Sequence, residues 1–306
     1  MKRNPRVVAC VLTWNDKAAA LKCVSSLLRS TYAPLDVVLV DNASNDGTAA
    51  AAKRAFGRNK RFTLLQNDGN YGYVANNVGV RHALSKNADY IAIFNNDTIV
   101  EPRAIELLVK AAQKHPDAAA ISPLIVLADG SNRVWSAGTS FNPIIFKATL
   151  IGRGANASEF SGREREVPLA VGAALLMRPS AIRKVGLLDE KYFIYNEETK
   201  WELQMKAAGY KFYLEPAARV MHAVGEAFGG GETAGATYYL VRNRGYLIND
   251  LCPFYLKPIA YASLVGETAY RAVRGMLVGK PALSKAALEG FGHFILGISG
   301  RRPGTK

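Results

Sequence analysis

In its N-terminal third the chain alternates four times between a short apolar run and a segment of helical spacing, and each run ends in small polar residues. Residues 6–13 (RVVACVLT), 35–40 (LDVVLV), 62–66 and 89–94 are apolar and largely β-branched, which predicts strands. Between the first two, residues 16–28 place Leu21, Val24, Leu27 and Leu28 at the spacing of a one-sided helix. An alanine-containing helix is predicted from Thr48, and another over about 73–84. Such alternation calls for an α/β, mostly parallel sheet with helices on both faces. Because every polar loop follows a strand, all of them open on one edge, where ligands of open α/β sheets bind.

Two of these loops carry chemistry. The fourth apolar run, in DYIAIFNND (89–97), stops at Asn95, Asn96 and Asp97, so a carboxylate is delivered to the edge, poised for a metal or a polar ligand. The same three residues also suit a turn and a cap for the helix that begins near Glu101 and Pro102. In DNASNDGT (41–48), Asp41 can accept hydrogen bonds from a base or ribose, while Ser44 and the amides near Gly47 can lie beside phosphate at a helix start. A tight turn would use similar residues. No GxGxxG follows the first strand and no GxxxxGK[ST] occurs anywhere, which excludes the dinucleotide and P-loop readings.

The 306 residues, 49% hydrophobic and 21% charged, have ordinary globular composition. Cys10, Cys23 and Cys252 are odd in number and lack zinc or dithiol spacing, which fits a reducing compartment. The apolar run after Lys2 and Arg3 reads as a strand with no leader cleavage site, and no uncharged segment approaches bilayer length. The expected location is therefore the cytoplasm or the cytosolic face of a membrane. A net charge of +14 points to an anionic partner: nucleic acid, an anionic bilayer or a phosphorylated substrate. From residue 251 onward eight basic residues face two acidic ones, without any nucleic-acid-binding motif, which disfavours the first of these.

The ordered segments VVACVLTWN, VVLVDNASNDGT, QNDGNYGYVANNVGV and FNNDT, followed by the stretch 171–225 (VGAALLMRPSAIRKVGLLDEKYFIYNEETKWELQ and onward), resemble glycosyltransferase family 2, in particular its bacterial rhamnosyltransferase-like branch. The resemblance covers about residues 6–246 and implies a GT-A fold with inverting transfer from a nucleoside diphosphate sugar, dTDP- or UDP-linked, assisted by Mg²⁺ or Mn²⁺. Carried over by position, Thr13 and Asn15 border the nucleotide, Asp41 holds the base or ribose, and Asn42 and Ser44 lie beside it. Asn70, Gly72 and Asn76 line the nucleotide and sugar. FNNDT stands at the family's DxD-type motif with Asn95 at its first acidic position, so metal binding rests on Asp97, with His222 as the second ligand. Phosphate oxygens and waters would complete an oxygen shell.

The resemblance also assigns Glu198 as general base, with Glu197 as its neighbour. From residue type alone, two glutamates in a first helical turn equally complement the helix dipole. Lys200 departs from the acidic residue common there. A glycine-rich loop, 225–235, is expected to close over the donor and bring Arg242 or Arg244 to phosphate, or else to be a linker before a surface helix. Trp135 and Trp201 can stack on a sugar or pack in the core.

Residues 1–250 are read as one GT-A unit, about 1–115 for the donor and 116–250 for the acceptor. Residues 251–306 form a basic amphipathic helical extension suited either to an anionic membrane surface or to packing and a homodimer. The expected acceptor is a hydroxyl of a growing, lipid-linked cell-surface polysaccharide. A nucleotidyltransferase, or a non-catalytic sugar-nucleotide or glycan-binding protein, is the alternative.

Overall fold

In the computed structural model, which describes residues 3–223 and 233–305, the four predicted strands are β1 (Val7–Thr13), β2 (Leu35–Asp41), β3 (Phe62–Gln66) and β4 (Tyr90–Asn95). They pair in parallel in the order β3–β2–β1–β4. Side chains alternate across a strand, and β1 shows the result: Val7, Ala9 and Val11 enter one apolar cluster, Val8 and Cys10 another. Each fully buried valine contributes roughly 1.5–3 kcal/mol, enough to fix the register. That register sets Thr13 opposite Asp41 and Leu12 opposite Asn95, so the loops after β1, β2 and β4 leave the sheet at one level.

Helices α1 (Lys17–Leu28), α2 (Thr48–Phe56) and α3 (Asn76–Ser85) cover the faces. The first starts where Asp16 Oδ1 accepts the Ala19 amide (3.2 Å), and it buries Ala20, Cys23, Val24 and Leu27. A 3-10 turn, Gly72–Ala75, precedes α3, so the single helix expected from residue 73 is divided.

The second half adds β5 (Thr98–Val100), α4 (Ala104–Lys114), β6 (Ala118–Leu127), β7 (Val134–Ser136), β8 (Thr139–Asn142), β9 (Lys147–Leu150), β10 (Arg165–Val167), β11 (Ala174–Met177), α5 (Pro179–Val185), α6 (Glu197–Ala207) and β12 (Lys211–His222). β11 lies between β4 and β6, antiparallel to both, and β12 runs parallel to β6 and antiparallel to β5. The sheet is thus mixed, with ten strands among the described residues.

Helices α7 (Ala234–Leu251), α8 (Lys257–Leu277) and α9 (Pro281–Ile295) form a bundle beside α6. α9 packs on α7 through Phe294 edge-on to Tyr246, with ring centroids 5.6 Å apart. The chain then turns back: the Arg302 amide donates to the Tyr239 hydroxyl (2.8 Å) and its guanidinium pairs with Glu289 (2.6 Å).

Candidate functional site

The first two loops are laced together. Asp41, buried at the end of β2, accepts the Ser44 amide on Oδ1 (3.1 Å). The Asn15 amide donates to Ser44 Oγ (2.9 Å), and Asn15 Oδ1 accepts the Asn45 amide (2.8 Å). Asn42 ties in the third loop, its Nδ2 donating to Asn70 Oδ1 (3.0 Å) and to the Gly72 carbonyl (3.1 Å). Gly72 has φ +68, and its amide donates to Asn70 Oδ1 (2.9 Å). On this edge Thr13 Oγ1 and Asn76 Oδ1 are buried without a hydrogen-bond partner. Asn77, which the sequence reading passed over, exchanges hydrogen bonds with the Leu188 backbone (2.9 and 3.0 Å) and fastens α3 to the segment before α6.

Past β4, Asp97 Oδ1 lies 3.4 Å from His222 Nε2 without a hydrogen bond between them. Both atoms are buried and unpartnered, and so is His222 Nδ1. Burial, with the Asp16 charge adding, raises the Asp97 carboxyl to about 6; burial and the charge of Arg153 lower the His222 imidazole to about 4. At neutral pH the pair is therefore a carboxylate beside a neutral imidazole, the forms that bind metal. An oxygen and a nitrogen donor left unsatisfied side by side fit a divalent cation, although no group of three or more such ligands exists among the described residues. Trp135 stacks on His222 (4.3 Å between centroids, 11° between planes) and fixes its ring. A cleft of about 980 Å³ opens here, lined by Asn15, Asn96, Asp97, Trp135, Arg153 and His222.

Glu198 approaches the same edge from α6. Its Oε2 lies over the α-carbon of Gly172, where a methyl group would overlap the carboxylate and the Tyr73 hydroxyl. That hydroxyl donates to the Gly172 carbonyl (2.6 Å), and the neighbouring Ala173 carbonyl accepts the Asn95 amide (2.9 Å). One backbone strip, residues 172–173, thus joins Glu198 to the end of β4. Burial raises the Glu198 carboxyl to about 7, partly countered by the Gly172 amide. Glu197 and Glu202 are buried as well, and burial followed by the Glu198 charge lifts both well above the ordinary carboxylate range. A carboxyl titrating near neutrality can accept a proton from a hydroxyl and return it to solvent.

The turn into α6 is strained: Phe193, Tyr195 and Asn196, none of them glycine, have φ of 66, 69 and 68. Fully buried Asn243 holds it, its Nδ2 lying 2.8, 2.7 and 2.8 Å from the carbonyls of Tyr192, Ile194 and Tyr195.

The expectation that Arg242 or Arg244 meets phosphate is corrected here. Arg242 is fully buried and donates to the carbonyls of Tyr192 (3.0 Å) and Gly300 (2.7 Å) and to Asn243 Oδ1 (2.9 Å), its guanidinium lying over the rings of Tyr238, Tyr239 and Tyr246. Arg244 pairs with Glu267 (2.6 Å) and donates to the Ile145 carbonyl (2.5 Å). Lys200 bridges Asp189 (2.6 Å) and Asp250 (2.7 Å), docking α6 on α7. Trp201 is in the core, donating its indole N–H to the Gly186 carbonyl (2.7 Å). Residues 224–232, the body of the loop expected to close over the donor, lie outside the described residues.

Comparison with known proteins bears on this arrangement. The profile of Glycosyl transferase family 2 matches residues 8–186. The chain is 29% identical over 219 residues to the N-acetylglucosaminyl-diphospho-decaprenol L-rhamnosyltransferase of Mycobacterium tuberculosis, covering 65% of this chain and 70% of that protein. It is 23% identical over 234 residues to a dTDP-rhamnosyl transferase of Shigella flexneri, covering 73% and 71%. Among solved structures, GalNAc-T7 with UDP, GalNAc and Mn²⁺ superposes with a TM-score of 0.65 at 16% identity, over 96% of this chain and 56% of that one. A mannosyltransferase of Pyrobaculum calidifontis in complex with GDP-Man and Mn²⁺ gives 0.60 at 17% identity, over 96% and 88%. These likenesses show a GT-A fold. Since the matched span of the profile runs from β1 through α5, more than half of the chain, and includes the loops after β1 to β4, the chain belongs to glycosyltransferase family 2, on its rhamnosyltransferase-like branch.

Proposed function

We propose that this glycosyltransferase moves rhamnose or a similar hexose from a dTDP- or UDP-linked donor to a hydroxyl of a growing, lipid-linked bacterial cell-surface polysaccharide, inverting the anomeric centre. The names of the relatives support the sugar and the acceptor class: one acts on a diphospho-decaprenol-linked substrate, the other is a dTDP-rhamnosyl transferase. Such an acceptor fits work on the cytosolic face of a membrane.

One observation carries the mechanism: the Glu198 carboxylate, held at about 7, is tied through Gly172 and Ala173 to the strand end that bears Asn95 and Asp97. Thr13, Asn15, Asp41, Asn42, Ser44, Asn70, Gly72 and Asn76 form the nucleotide wall, and Asn95 and Asn96 lie beside the diphosphate. When bound, Mg²⁺ or Mn²⁺ at Asp97 and His222 supplies Lewis-acid stabilisation of the departing diphosphate. Glu198 takes the proton of the acceptor hydroxyl as its oxygen bonds to the anomeric carbon and the bond to diphosphate breaks on the opposite face. Glu197, buried and with its carboxyl held well above the ordinary range by burial and the Glu198 charge, positions the first turn of α6.

A donor panel with Mn²⁺, scored by nucleoside diphosphate release, tests this. Glu198→Gln should retain donor binding and lose turnover by roughly 10²–10⁴-fold. If no donor binds, sugar transfer is refuted; equal turnover in the variant refutes Glu198 as base.

A further inference from the structure

Among the described residues, the C-terminal bundle leaves a long apolar face uncovered. Along α8, Ile259, Ala262, Gly266, Tyr270, Val273 and Leu277 recur at three- and four-residue spacing and are all exposed, Leu277 by 81%. The opposite face buries Ala260, Leu264, Thr268 and Gly275 against its neighbours. Just upstream, Phe254 and Tyr255 project by 84% and 68%. At 1.5 Å per residue the 21 residues of α8 present this stripe over about 30 Å. So extended an apolar surface marks an interaction site.

Charge selects the occupant. Among the exposed residues from 253 to 299 the charged ones are Arg274, Lys280 and Lys285, and none is acidic. The two acids of this region turn inward: Glu267 pairs with Arg244, Arg271 and Lys147, and Glu289 with Arg302. A two-fold dimer through this face would set one basic rim against another with no exposed acid between them. Nor is any described helix long and apolar enough to cross a membrane. We infer that α8, with Phe254 and Tyr255, lies in the plane of an anionic phospholipid bilayer, apolar stripe among the acyl chains and Lys280 and Lys285 at the headgroups. Aromatic side chains at its start suit the headgroup boundary. This does not depend on the sugar-transfer reading, because vesicle binding is read without turnover.

The test is flotation of the full chain with vesicles of phosphatidylcholine alone or mixed equally with phosphatidylglycerol. We expect binding to the mixed vesicles, weakened by salt and poor on phosphatidylcholine. Val273→Asp with Leu277→Asp should lower binding at least tenfold without changing the melting temperature, both sites being exposed. Lys280→Gln and Lys285→Gln should each cost roughly fivefold. Absence of wild-type binding to mixed vesicles overturns the inference, as does binding that the double substitution leaves unchanged. Sedimentation velocity should show a monomer; a dimer dissociated by that substitution would assign the face to a second copy and overturn the inference too.

Discussion

Replacing Asn243 by alanine removes a side chain that holds the turn into α6 by three carbonyls. Its two Nδ2 protons are shared among the oxygens of Tyr192, Ile194 and Tyr195 at 2.7–2.8 Å, and its Oδ1 accepts from Arg242. The Tyr192 carbonyl keeps its hydrogen bond from Arg242, whereas the carbonyls of Ile194 and Tyr195 lose their donor and Arg242 Nε its acceptor; at about 1 kcal/mol for each of these three groups the variant should lose about 3 kcal/mol, roughly 5 °C in melting temperature. The larger effect is geometric. Phe193, Tyr195 and Asn196 each hold about 1–3 kcal/mol of backbone strain, which relaxes when the clamp goes and shifts the first turn of α6 off Gly172. A displacement near 1 Å would lower turnover about 100-fold. Asn243→Asp keeps the shape and the acceptor for Arg242 but cannot donate, so it should fall as far. Differential scanning fluorimetry, nucleoside diphosphate release and calorimetric titration of the donor nucleotide with Mn²⁺ separate the effects, since nucleotide affinity should hold. A variant that melts and turns over with the wild type refutes the clamp.

Four other outcomes are expected. Because a base must be ionised and burial lifts Glu198 to about 7, turnover should be lost in acid and rise with pH through that value, a limb that disappears in Glu198→Gln. Glu202, displaced upward from its ordinary 4.5 by burial, keeps its proton where the unfolded chain has lost it; Glu202→Gln should therefore gain stability as pH rises above that value, by up to about 1.4 kcal/mol per unit, and gain nothing below it in a pH series of urea unfolding. Gly172→Ala should push the carboxylate off its seat and lower turnover about 100-fold, with nucleotide affinity kept in titration calorimetry. Asp97→Asn and His222→Ala should each abolish Mn²⁺-dependent tightening of nucleoside diphosphate binding in calorimetry and lower turnover roughly 100-fold or more.

The N-terminal sheet was legible because β1, β2 and β4 are buried on both faces and all four strands break at polar loops, so periodicity and punctuation coincide. The antiparallel entry of β11 was not, since its run, VGAALLM, says nothing of direction. At the site, Asp97, His222 and Glu198 come from motifs and reach one edge, whereas their supports do not announce themselves. Gly172 matters through a carboxylate 26 residues away in sequence. Asn243 acts on a turn about fifty residues upstream, and Arg242, read as a phosphate ligand from its charge, is enclosed by three tyrosines. Positive charge alone did not distinguish a ligand-facing guanidinium from one that satisfies buried carbonyls.

Composition changes near residue 250, yet α7, upstream of that change, grips the strained turn through Asn243 and receives Phe294 of α9 on Tyr246. An engineer who swapped the last two helices between relatives at that compositional seam would cut through a single mechanical part. A splice at Thr233, ahead of α7, would carry the whole part across and leave the graft able to seat its own catalytic helix.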